Sequence, residues 1–181
     1  MTDNGEKIYI ILTMSGTKFS RFLRFMSGEN PEFTHVSLSL SKELDVMHSF
    51  GRKIIHLPFI AWYVEERVNT GVYSIYNPNC EIIEVNITKD QYRRLEELLD
   101  FVNEHRNSYR YNFVGLVLLY FDIPHRLNHR FTCTEFVAWL LYNIGIKATD
   151  KDVSLTLPMD YYMVPCSKSI YKGKLSSYIC A

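Results

Sequence analysis

In the run Thr34-His35-Val36-Ser37-Leu38-Ser39-Leu40-Ser41, polar and apolar residues alternate from His35 onward. Period two is the repeat of a strand and not of a helix, so the run predicts a strand with one buried face. Val36, Leu38 and Leu40 share the buried side; His35, Ser37, Ser39 and Ser41 share the other. His35 therefore points away from the apolar side. A sheet half-buried in this way needs partners. Residues 7–13, nearly all apolar and β-branched or aromatic, supply one buried strand. Past a turn at Lys42-Glu43, residues 44–50 read as the second strand of a hairpin that carries His48, and Gly51-Arg52 closes it.

The remaining segments alternate between strand and helix signals. Residues 15–17 form a turn, and 18–26 a short helix with Lys18, Arg21 and Arg24 on one side and Phe19, Phe22, Leu23 and Met26 on another. Such a basic amphipathic helix suits peripheral contact with a membrane surface or the grip of an anionic substrate; more simply, it is half buried with its charges in water. Residues 53–71 are irregular, with Pro58, Trp62 and the pair Glu65-Glu66, and read as a loop folded over a site. Residues 72–76 and 80–87, separated by Asn77-Pro78-Asn79, read as a second strand pair. Thr88 and Gln91 are spaced as a capping box for a helix reaching about residue 104, with Tyr92, Leu95, Leu99 and Val102 on its apolar stripe. Residues 112–120 read as a short buried helix stopped by Pro124, 157–160 as a turn, and 169–175 as a late strand. At 181 residues the whole chain, 1–181, reads as a single domain.

Phe131-Thr132-Cys133-Thr134-Glu135-Phe136-Val137 is the most informative stretch chemically. Thr132 and Glu135 have the capping-box spacing, Phe136, Val137, Leu140, Leu141 and Ile144 form an apolar face, and Gly145 is placed for a left-handed stop. Cys133 then stands at the first helical position, where unpaired N–H groups and the helix dipole favour a thiolate. A free cysteine is also a common packing residue. What distinguishes Cys133 is its company: His35 on a strand and His48 across the likely hairpin. Cysteine catalysis needs a base to share the thiol proton and a third polar group to fix the base. A rival grouping, His125, His129 and Cys133 at intervals of four, would align three metal ligands on one helix, but the cap at Thr132 starts the helix too late for that. Neither a metal nor another cofactor is expected. Arg126 and Arg130 beside the site would steer an anionic substrate or simply be solvated.

Composition narrows the partners. Formal net charge is +0, which argues against a nucleic-acid partner. The four cysteines lack paired spacing and the first residues are polar, so the expectation is a cytoplasmic setting with free thiols.

The Thr34-to-Leu40 histidine strand, a polar residue thirteen positions on at His48, and the Cys133-Thr134-Glu135 helix start together resemble the circularly permuted NlpC-type papain-like cysteine hydrolases, the branch with YiiX-like and lecithin retinol acyltransferase-like proteins. The segments around Tyr111-Asn112 and Pro158-Met159-Asp160 are similar as well. In that family the histidine strand precedes the cysteine helix, as here. The resemblance implies an α+β papain-like fold, an antiparallel sheet packed against helices. It also implies Cys133 as nucleophile, His35 as base and His48 as the residue that orients it, with Glu43 a weaker candidate. The implied reaction is hydrolysis or acyl transfer at an amide, peptide or acyl-lipid bond, on a small-molecule, peptide or lipid substrate. The contrasting expectation is a catalytically inactive module of the same fold that binds a lipid or a protein.

Overall fold

The structure, a computed structural model, describes residues 5–14, 32–52 and 61–179. The basic helix expected over 18–26 lies outside them. Eight strands and five α-helices are seen among the described residues. In chain order they are β1 (Glu6–Met14), β2 (His35–Ser39), β3 (Met47–Arg52), β4 (Ala61–Glu66), α1 (Gly71–Tyr76), β5 (Asn79–Ile87), α2 (Lys89–Glu104), β6 (Arg110–Tyr111), α3 (Phe113–Leu119), β7 (Arg130–Phe131), α4 (Cys133–Asn143), β8 (Ser167–Lys174) and α5 (Leu175–Ile179).

Six strands form one antiparallel sheet in the order β4-β3-β2-β1-β5-β8. The chain is thus α+β, as the patterning predicts. Strand alternation sorts its side chains onto two faces. Ile8, Ile10, Leu12, Val36, Leu38, Phe50 and Tyr63 meet Leu95, Leu99 and Val102 of α2 and Phe136, Val137, Leu140 and Leu141 of α4 in the main core. Tyr9, Ile11, Met47, Cys80 and Ile82 face the other way, against Val68, Tyr73 and Leu175. The sheet is therefore covered on both sides. Ser37 and Ser39 have no exposed surface, so β2 is buried on both faces rather than on one.

Two helices carry the expected capping boxes, Thr88 with Gln91 on α2 and Thr132 with Glu135 on α4. Gln91 also donates from Nε2 to the Ile144 carbonyl at 3.0 Å, tying the start of α2 to the end of α4. Gly145, at φ +81°, ends α4 as its position predicts. Three segments differ from expectation. Residues 61–66, read as loop, form edge strand β4. Residues 72–76, read as a strand, lie in the short helix α1, and β5 pairs with β1 and β8 instead. The turn at 157–160 is the start of a 3-10 helix, Pro158–Met163. Among the described residues, no helix is long and apolar enough to cross a membrane.

Candidate active site

α4 begins where the sequence places it. Thr132 is extended, its hydroxyl accepts the Glu135 N–H at 3.1 Å, and the Glu135 carboxylate accepts the Thr132 N–H at 3.2 Å. Cys133 follows as the first helical residue. Two further bonds hold this turn. The Tyr161 hydroxyl donates to the Thr134 carbonyl at 2.6 Å, and Asn112 Nδ2 donates to Glu135 at 3.4 Å. Asn112 also caps α3, accepting the Gly115 N–H at 2.9 Å. A Cβ on Gly115 would collide with the Asn112 side-chain amide, so a larger residue there would displace the cap. Burial raises Glu135 to about 7, against the pull of the Thr132 N–H, the Asn112 amide and Arg126.

The structure brings His35 and Cys133 together. Each favours the charged form of the other, and the backbone N–H groups of Val36 and Thr134 also favour a charged sulfur. Burial opposes ionisation of the thiol, but the imidazole and these two N–H groups outweigh it and bring Cys133 below its ordinary value. Burial likewise would lower His35. The Glu66 carboxylate and the sulfur reverse that and hold the ring well above the usual histidine value. Both shifts favour the charged forms, thiolate on Cys133 and imidazolium on His35. Cys133 is only 6% exposed, yet its wall on this side is polar rather than hydrocarbon. Burial and the charge of the Cys133 sulfur hold the Tyr111 phenol well above its ordinary value.

The group behind His35 is Glu66, not His48. His35 Nε2 lies 3.1 and 3.0 Å from the two Glu66 carboxylate oxygens, which leaves Nδ1 for the sulfur. The Tyr73 hydroxyl donates to Glu66 Oε2 at 2.9 Å and fixes the carboxylate in turn. Gly51 of β3 lies alongside: a Cβ there would sit 3.5 Å from Glu66 Oε1 and 3.6 Å from His35 Cε1. His48, expected to orient His35, faces the opposite side of the sheet. The register pairs it with Leu38, an even-numbered neighbour on the main-core face, whereas His35 and Ser37 face the other way. His48 Nδ1 instead meets the Tyr63 hydroxyl at 2.7 Å, and burial lowers its pKa. Glu43, the weaker candidate, is exposed and accepts from Ser41.

Sequence reasoning missed Glu66, Tyr73 and Tyr111. A usable signal existed for the first: Ala61-Trp62-Tyr63-Val64 is a β-rich run leading directly into Glu65-Glu66. The other grouping around Cys133 does not form. His129 has a left-handed backbone and packs its ring edge-on to Tyr109, and the His125 N–H donates to Ser154 ahead of α4. Among the described residues, no set of three or more His, Cys, Asp or Glu side chains is grouped to hold a metal ion. Comparison of the chain with protein-family models, curated proteins and solved structures gives no match.

Proposed function

We propose that the protein is a cysteine hydrolase or acyltransferase of papain-like arrangement, acting on an amide, peptide or acyl-lipid carbonyl. Cys133 is the nucleophile, His35 the acid–base group and Glu66 the carboxylate that orients and charges His35. One observation carries the reading: Nε2 of His35 is held by Glu66, and the charged ring in turn lowers the Cys133 thiol. The order of a histidine strand before a cysteine helix, with that helix packed on an antiparallel sheet, supports a likeness to the permuted NlpC-type enzymes.

In this mechanism the thiolate attacks the carbonyl carbon, and the developing oxyanion lies near the N–H groups at the start of α4 and the Tyr111 hydroxyl. The imidazolium gives its proton to the leaving amine or alcohol as the tetrahedral intermediate collapses to a thioester. The neutral imidazole then takes a proton from water, or from an acceptor alcohol or amine, whose oxygen or nitrogen attacks the thioester. Cys133 departs as thiolate and His35 is again protonated.

Iodoacetamide labelling followed by peptide mass spectrometry as a function of pH tests the pair. An ordinary thiol gains reactivity around pH 8.5; Cys133 should react well below that. His35→Ala removes the cation and leaves the burial, so labelling at about pH 6 should fall at least about tenfold. Cys80 is the internal contrast, since burial and Glu81 push its thiol up to about 12. Equal labelling of Cys80 and Cys133 across the pH range would remove the proposal. Electrophilic amide, peptide and acyl-lipid probes read by intact mass then separate the substrate classes.

A further inference from the structure

We propose that the outer face of α3 and the loop after it form a docking surface for an anionic phospholipid bilayer. Five large apolar side chains are exposed within a short stretch: Val114 (55%), Val117 (42%), Phe121 (64%), Ile123 (49%) and Leu127 (40%). Among the described residues, the other exposed large apolar side chains are spread over α1, α2, α4 and the turn at 157–163. Val114, Val117 and Phe121 are spaced to share one side of a helix, while Gly115 and Leu116 are buried on the other. Concentration of apolar surface on this scale is unusual for a face that meets only water.

Charge selects the occupant. Between residues 106 and 130 the chain carries Arg106, Arg110, Arg126 and Arg130 against the single acid Asp122, and the stretch stays basic even with Arg126 paired to Asp152, although the whole chain is neutral. Apolar side chains flanked by arginines suit an interface where the former enter the headgroup boundary and the latter meet lipid phosphates. A zwitterionic surface would use only half of that pattern. The segment is also firmly held: Asn112 caps α3, Asn112 Nδ2 bonds the His125 carbonyl at 3.1 Å, and Arg126 pairs with Asp152 at 2.8 Å. The docking does not depend on the cysteine chemistry.

Flotation of the full chain with phosphatidylcholine vesicles, alone or mixed with phosphatidylglycerol, tests the proposal. Binding is expected to the mixed vesicles only, and to weaken with added salt. Val117→Ser with Phe121→Ser should lower it at least about tenfold, since the buried apolar area sets the affinity. Arg130→Glu, which leaves the apolar face intact, should also lower it. Ile75→Ser with Tyr76→Ser, which removes exposed apolar surface elsewhere, should not. Cys133→Ala should float like the wild type, so a failed cysteine mechanism and a failed docking surface are distinguishable. The proposal is overturned by no flotation with mixed vesicles, by equal binding to phosphatidylcholine alone, or by full binding of both the apolar and the Arg130 variants. Self-association that depends on Val117 and Phe121 in the absence of flotation would give the face to a second copy of the chain, and also overturn it.

Discussion

The two nitrogens of His35 have different neighbours, and that asymmetry decides which substitutions matter. Glu66 holds the ring's charge up from one side, and the charged ring holds the Cys133 thiol down on the other. Glu66→Gln keeps a hydrogen-bonding side chain but removes the negative charge. His35 then loses its main support against burial, its pKa falls, and the thiolate population on the acid side of neutrality falls with it. Alkylation of Cys133 at about pH 6 should drop at least about tenfold. His48→Ala should leave that rate within about twofold and cost only about 1 kcal/mol from the lost Tyr63 contact, measured by urea unfolding. Cys133 and His35 were legible because each sits on a strongly patterned element. Glu66 was not, because its role depends on which way a strand edge faces. The αL backbone of Leu44, in the turn between β2 and β3, sets a register that alternation alone does not reveal.

At the scale of elements, α4 is held by a buried carboxyl as well as by its apolar face. Glu135 titrates at about 7 in the folded chain, against an ordinary value of 4.5. Between these values the folded form holds a proton that the unfolded form has released. The contribution is therefore full at acid pH and is lost as pH rises through about 7, a swing of about 3 kcal/mol. Glu135→Gln keeps the capping-box geometry and does not titrate. Its stability relative to wild type should improve by up to about 3 kcal/mol between about pH 5 and pH 8, followed by urea denaturation at each pH; a flat difference would show the carboxyl to be unperturbed. The capping boxes, Gly145 and most strand cores could be read in advance because they are local signals. Two elements could not. β4 has only six residues, and its pairing with β3 comes from outside the segment; 72–76 has strand-like composition, but Tyr73 is drawn into a helical turn with its hydroxyl on Glu66.

Across the molecule, Phe50 joins the parts that make the site. Its ring lies 6.1 Å from Tyr63, 6.2 Å from Tyr109, 5.4 Å from Phe131 and 4.9 Å from Phe136, centroid to centroid. Sheet, β7 and the first turn of α4 thus share one aromatic contact. Phe50→Ala should cost about 3–5 kcal/mol in urea unfolding, the usual range for emptying a packed aromatic site. The α+β class followed from alternating patterns; the strand order, with β1 central between β2 and β5, did not, since it depends on which distant edges meet.

The sulfur arrives on a helix late in the chain and the imidazole on a strand near its beginning. A ribosome-bound chain that has exposed only the first half holds the acid–base group and its carboxylate but has nothing for them to activate. The proposed chemistry therefore switches on in a single event, when α4 settles onto β2, and a chain caught short of that step is inert rather than indiscriminately reactive.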